Sequence, residues 1–411
     1  MGAGALSSRF STWLLRPYLD LGPFVVGPTH AQSVERSWDA FTSADDALFS
    51  PQRAMHPAFR VALAAEAGAA YALDDPRRLP ARLRTPRWER LCAALDDWRG
   101  ASSSRQARLV GLLNALCLYE AAMALAPSRG VRAADPHVVA RAFGCALARY
   151  LRNLPERVAQ YDDADMSVFV DIASNAPHAP DIAFNAAARV FVHLAKTGAS
   201  LDDLETWGAR WKSAHARVTR NASTFAADLM TSRFHRGYAF LPQRRGDRAG
   251  VAALMDAAEK LARGLAPKDA GEDLLRRENL HALMESRTKE AMWLGDLDLA
   301  HARAQEVVQV DPYDAKAWTE LGQARFARRQ WRAASEAFLA AATLGPPATA
   351  LARHMAGMCF LNLGEHVAAG FLFNEALAHD PLGVSPRLRI ESAPDAPPLD
   401  ALKVWSRARQ P

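Results

Sequence analysis

Small residues recur in the last third of this 411-residue chain at the interval of one helical hairpin. Ala300, Ala334 and Ala369 stand 34 and 35 residues apart. Other positions keep the same phase: Pro312, Pro346 and Pro381, Phe338 and Phe373, Ala341 and Ala376, and, within one residue, Gly322 and Gly357. Agreement over three periods indicates stacked repeats, because one hairpin cannot bury its apolar face alone. The pattern therefore predicts a helical solenoid in this part of the chain.

The central repeat carries a recognisable set of residues. In order, they are Trp318, Leu321, Gly322, Ala334, Phe338, Ala341 and Pro346. This order resembles the tetratricopeptide repeat (TPR), with its consensus W-x2-L-G…A-x3-F…P. The resemblance implies that Gly322 and Ala334 lie where the two helices of a hairpin cross. Arg325 departs from the consensus, which has a large aromatic residue there, and Phe326 lies one position further on.

Composition predicts helices in the rest of the chain as well. Half of the residues are hydrophobic and 23% are charged, and alanine and leucine are abundant, whereas alternating strand patterns are absent from the sequence. We expect an all-α protein, a helical-hairpin (TPR-like) α-solenoid with an N-terminal helical domain. Four parts are expected: an α-helical domain (1–220), a degenerate hairpin and connector (221–280), three TPR-like repeats (281–383), and a Pro-rich tail with a short capping helix (384–411). Within these parts we predict one continuous helix over 105–126, an insertion over 268–277, and N-caps at Asp181 and Ser200.

Several classes of protein are disfavoured by charge and residue usage. The net charge of +5 is spread over a long chain, and no stretch reaches the roughly 18 apolar residues that cross a bilayer. We therefore expect neither a nucleic-acid nor a membrane partner. The four cysteines stand apart from one another, which favours buried thiols in a reducing, cytoplasmic setting. The preference for arginine over lysine, of which there are seven, is typical of a GC-rich bacterial genome.

The densest positive run lies between residues 74 and 90. It contains five arginines and three prolines before residue 88, and Arg90 follows. We interpret it as a solvated linker between helices, and the alternative is a contact with an acidic partner.

One spacing is compatible with a metal site. Glu278, His281 and Glu285 would share one helix face, as carboxylate and histidine ligands do in helical bundles. No second E-x-x-H occurs in the sequence, so the simpler interpretation is an ordinary polar helix face. Motifs of nucleophilic or nucleotide chemistry are also absent, and we expect no cofactor and no catalytic residues.

The resemblance to TPR proteins also implies a binding surface. In that family the first helix of each hairpin lines a concave groove. The matching positions in this sequence are Glu285, Lys289, Lys316, Thr319, Gln323, Phe326, His354, Met358 and Asn362. Such side chains suit an extended peptide or an acidic chain segment. The alternative is that this face packs against the protein's own N-terminal half.

Two functional hypotheses follow. The first is a scaffold or adaptor that binds a protein or peptide partner in the groove. The second is a helical enzyme or accessory protein of a bacterial biosynthetic pathway, with the metal option above.

Overall fold

The computed structural model describes residues 36–42, 75–81, 84, 86–127, 135–153, 163–175, 179–312, 314–344 and 348–379. Regular structure in these ranges is helical, and none of them contains a strand. The all-α fold class is therefore confirmed. Residues 1–35 and the predicted Pro-rich tail with its capping helix (384–411) lie outside the described residues.

Sixteen α-helices follow residue 85 within the described ranges. The first eight are α1 (Pro86–Asp96), α2 (Ser103–Ala115), α3 (Tyr119–Ala124), α4 (Pro136–Asn153), α5 (Asp163–Asn175), α6 (Pro180–Thr197), α7 (Leu201–Thr219) and α8 (Thr224–Tyr238). The other eight are α9 (Phe240–Arg244), α10 (Arg248–Gly264), α11 (Ala270–Leu294), α12 (Leu297–Val310), α13 (Ala315–Ala327), α14 (Trp331–Thr343), α15 (Thr349–Asn362) and α16 (His366–His379).

The helices pack in chain order. Hairpins are formed by α6 with α7, α8 with α10, α11 with α12, α13 with α14, and α15 with α16, and each hairpin also contacts the next one. The first helices contact one another as well, α8 against α11 and α11 against α13. This is the arrangement expected of an α-solenoid, in which one row of helices lines one side.

The predicted register matches the packing of the last two hairpins. Ala334 and Phe338 are fully buried, as are their counterparts Ala369 and Phe373. A Cβ atom on Gly322 would lie 2.6 Å from the Phe338 ring, so the absence of a side chain lets the two helices approach. Gly357 has the same relation to Phe373, at 2.7 Å. The two repeats therefore use one crossing geometry.

Two local predictions earlier in the chain were wrong. The segment predicted as an insertion (268–277) belongs mostly to α11, which begins at Ala270 because the Asp269 carboxylate accepts a hydrogen bond from the backbone N–H of Glu272. The expected domain limit at residue 280 thus falls inside a helix. The single helix predicted over 105–126 is divided, since Cys117 adopts a left-handed conformation (φ 56°) between α2 and α3.

Of the two predicted helix caps, one is confirmed and one was wrong. Ser200 caps α7 as predicted, and its hydroxyl accepts a hydrogen bond from the backbone N–H of Asp203 at 3.1 Å. Asp181 was expected to cap α6, but this helix begins one residue earlier at Pro180, whose fixed φ angle suits the first helical position. Asp181 instead lies in the first turn, where its negative charge interacts favourably with the positive end of the helix dipole.

The N-terminal helices pack against the second C-terminal hairpin. Their apolar core contains Leu113 and Leu118, and Leu344 at the end of α14 belongs to the same buried cluster. Ala315 and Trp318 of α13 pack against this cluster as well. The first and last thirds of the chain are thus joined through a common core.

Candidate binding groove

A large open groove lies along the row of first helices. Its volume is about 840 Å³, and we call it the central groove. Most of its wall comes from α6, α8, α11 and the start of α13, with smaller parts from α3, α4, α7, α9 and α10. This volume is within the range of sites that hold a small molecule or several side chains of a peptide.

Part of the groove wall is apolar. Its larger members are Phe184, Val192, Trp211, Phe240, Val251, Met255 and Trp293. Trp211 reaches the groove because α8 has a glycine opposite it. A Cβ atom on Gly237 would lie only 2.4 Å from the indole ring. Apolar walls of this kind contribute to binding affinity through the hydrophobic effect, which does not depend on the direction of contact.

Two ion pairs connect α11 to α13 in the groove. The Lys289 ammonium lies 2.9 Å from Glu320, and the Lys316 ammonium contacts Glu285. Both lysine side chains are about half exposed (54% and 53%), whereas both carboxylates are buried. The lysines therefore neutralise buried acids that would otherwise be costly, in addition to facing the groove.

The pKa shifts of this group follow from burial and mutual charge. Burial raises the pKa of the Glu320 carboxyl, and the charges of Lys289 and Lys316 act in the opposite direction. Desolvation lowers the pKa of the Lys316 ammonium, but the charges of Glu285 and Glu320 outweigh it and the net shift is upward. Lys316 thus remains charged at neutral pH.

Lys196 on α6 is a third groove lysine. No ion pair with a described carboxylate involves it. Desolvation between the groove walls, followed by the positive charges of Lys289 and Lys316, lowers the pKa of Lys196 to about 8. Part of the residue nevertheless remains exposed in the groove, so an acidic group of a partner can reach it.

Arg233 on α8 is the most deeply buried cation of the groove. Its side chain lines the cavity although only 8% of the residue is exposed. Burial lowers the pKa of this guanidinium to about 10, and the charge of Glu278 opposes that shift. Within the part of the chain that the structure describes, its Nε and Nη2 atoms have no hydrogen-bond acceptor.

A group of potential metal ligands lies at the junction of α11 and α13. The Nε2 atom of His281 is 3.3 Å from Glu285 and 3.6 Å from Asp314, and the three donor atoms lie within 4.8 Å of one another. Such nitrogen and oxygen donors could hold a divalent ion. The Lys316 ammonium already occupies the second oxygen of Glu285, which neutralises the group from within. Glu278, the third residue predicted for this site, is not part of the group.

Three of the nine residues predicted for the groove line the cavity: Glu285, Lys289 and Lys316. Thr319 and His354 are buried, and the His354 ring lies 5.2 Å from that of Phe373. The other four are Gln323, Phe326, Met358 and Asn362, which are not among the lining residues. Phe326 packs on Trp331 at 4.7 Å between ring centroids, and the Asn362 amide donates to the carbonyl of Met358.

The most informative groove residues missed by the sequence pattern come from α6 and α8. They are Lys196 and Arg233, and they lie before the part of the chain where the repeat register is visible. The rarity of lysine in the sequence could have pointed to them, since three of only seven lysines line this groove. The cavity therefore lies nearer the N-terminal half than the TPR resemblance implied.

The arginine run between residues 74 and 90 is partly engaged in internal contacts. Arg77 pairs with Asp75 and, at 2.9 Å, with Asp96. Arg84 donates to the carbonyl of Leu79 and lies 3.5 Å from Glu89. These pairs tie the short 3-10 helix Pro76–Arg78 to α1.

Comparison of the sequence with protein-family models gives no match, and a search of curated proteins also finds none. Among the residues that the structure describes, no helix has the length and apolar character needed to cross a membrane.

Proposed function

We propose that this chain is a TPR-like scaffold or adaptor that binds a protein or peptide segment in the central groove, and that it does no chemistry of its own. The observation that carries the proposal is the convergence of Lys196, Lys289 and Lys316, from three first helices, on a cavity with an apolar wall. An extended segment with acidic and apolar side chains matches both features.

The proposal places the partner differently from the sequence-based expectation. The buried imidazole of His354 is not accessible to a partner, and we expect contacts with α6 and α8 instead of α15. A nucleic-acid or membrane partner is not part of the proposal. We propose a reducing, cytoplasmic setting, which the four buried and unbridged cysteines support.

The alternative of a metal-dependent enzyme has less support. Its best site, the group of His281, Glu285 and Asp314, already contains an internal cation in Lys316. A metal ion would have to bind next to that ammonium, which the charges disfavour.

The test uses Lys196, because reversing its charge breaks no ion pair with a described residue. Tagged parent protein and the Lys196→Glu variant are used to capture partners from the native cell. The matched control is Lys212→Glu, which reverses an exposed lysine on the neighbouring helix α7. Captured proteins are identified by mass spectrometry, and the affinity of each is then measured with purified components.

We expect Lys196→Glu to weaken the partner's binding by about tenfold at low salt, with less effect at high salt, and Lys212→Glu to leave it unchanged. Equal binding by all three proteins, with equal thermal midpoints, would remove the central groove as the binding surface.

A further inference from the structure

Arg233 is a buried cation with unused hydrogen-bonding capacity. The Nε and Nη2 atoms of its guanidinium are buried, no described residue supplies either of them with an acceptor, and the side chain borders the central groove. A guanidinium presents five N–H donors in a planar fork and remains charged at neutral pH. Proteins rarely bury such a group without an acceptor, because the lost hydration is costly.

Glu278, the carboxylate whose charge acts on Arg233, does not supply an acceptor to these two atoms. Glu278 on α11 acts on the guanidinium through its charge, but the Nε and Nη2 atoms of Arg233 donate no hydrogen bond to it. The space between α8 and α11 therefore holds a guanidinium that borders the cavity and whose Nε and Nη2 atoms have no acceptor among the described residues.

The surrounding wall favours a negative group attached to an apolar one. Six basic and four acidic residues line the central groove among the described residues, so the lining carries a net positive charge. Arg236 lies one helical turn after Arg233, on the same side of α8. The apolar side chains of Phe184, Trp211 and Met255 border the same cavity.

We propose that Arg233 anchors an oxyanion subsite in the central groove, where its guanidinium binds a carboxylate or phosphate group of the ligand. The inference rests on the proposed function, since the oxyanion would belong to the segment bound in that groove. Two parallel N–H donors match two oxygens of either group.

The first experiment measures binding of small oxyanions to the full chain. Inorganic phosphate and glutarate serve as probes, titrated at constant ionic strength against chloride and followed by calorimetry. The two probes separate the two chemical sources. The variants are Arg233→Met, Arg233→Lys and Glu278→Gln, and the matched control is Arg245→Met, an exposed arginine paired with Glu205 outside the cavity.

We expect Arg233→Met to weaken binding of the preferred probe by at least about tenfold, and Arg233→Lys to weaken it less, because lysine keeps the charge but not the fork. Glu278→Gln should strengthen binding several-fold by removing a nearby negative charge. Binding that is absent, or equal in the parent and in Arg233→Met, would overturn the subsite.

The second experiment tests whether the fork is empty in the absence of ligand. In chloride buffer, Arg233→Met should raise the thermal midpoint, because it replaces an unsatisfied buried charge by an apolar side chain of similar length. If Arg233 instead has a structural partner such as Glu278, the same variant lowers the midpoint and the proposal is wrong.

A last comparison separates this inference from the proposed function. If the cellular partner binds the parent and Arg233→Met equally well, the groove function stands and the subsite is lost. If no partner binds the parent, the function fails, while the phosphate and glutarate titrations still decide the subsite.

Discussion

Gly322→Ala should destabilise the protein, although alanine forms helices better than glycine. A Cβ atom on Gly322 would lie 2.6, 2.7 and 2.9 Å from three ring atoms of Phe338. Carbon atoms do not approach so closely without displacement of one partner. The Phe338 ring, on α14, is fully buried against α13, so it cannot move into solvent.

Two opposing terms set the magnitude. Replacing glycine by alanine inside a helix gains about 1 kcal/mol from helix propensity. Overpacking a filled core costs about 1–3 kcal/mol, and three contacts below 3.0 Å place this site at the upper end. We therefore expect a net loss of about 1–2 kcal/mol in the free energy of unfolding.

The assay is urea unfolding followed by circular dichroism. Gly264→Ala is the control, because a Cβ atom on this last residue of α10 would have no atom within 4 Å, so the variant should show a propensity gain without overpacking. A Phe338→Leu substitution should relieve part of the loss caused by Gly322→Ala. If Gly322→Ala is as stable as the parent while Gly264→Ala is stabilised, the helices do not cross as described.

Three further predictions follow from the same contacts. Ala334→Leu should lower the unfolding free energy by about 1–3 kcal/mol through overpacking, and an unchanged urea midpoint would contradict the packing. Reversing both Lys289 and Lys316 to glutamate should lower the thermal midpoint, since Glu320 and Glu285 would then face like charges; reversing the exposed Lys212 and Lys260 should not. The rate of Lys196 acylation, measured by peptide mass spectrometry, should reach half of its maximum near pH 8, where half of the amine is deprotonated. Lys289→Met should raise that midpoint pH by removing a like charge. A midpoint that Lys289→Met does not move would contradict the proposed proximity of the two amines.

The paired lysines change how the groove can be tested. From the sequence, Lys289 and Lys316 look like free basic residues whose reversal affects binding alone. In the structure they neutralise buried carboxylates, so their reversal is expected to affect folding as well. Lys196 separates the two effects, because it has no such carboxylate among the described ion pairs.

The repeat register could be predicted because it depends on small residues at fixed intervals. Gly322 and Phe338 occur together where α13 and α14 cross, and the same pair recurs at Gly357 and Phe373. The groove could not be predicted in this way. Its position depends on how α6 and α8, which have no visible register, lie beside α11.

The break between α2 and α3 could not be predicted from the sequence pattern either. Apolar spacing continues through Cys117, yet its left-handed backbone separates α2 from α3. The φ angle at such a position is imposed by packing, since Leu116, Cys117 and Leu118 are all buried in one cluster. Helical periodicity carries no information about a constraint of this kind.

The common core of the first and last thirds has a consequence for the folding reaction. An open repeat array folds through local contacts and can grow from any hairpin. Here Leu118 and Leu344 belong to one buried cluster but are distant in the sequence, so forming that cluster must close a very long loop. We therefore expect the hairpins to form first and the docking of the N-terminal helices on Trp318 and Leu344 to be a separate, slower phase.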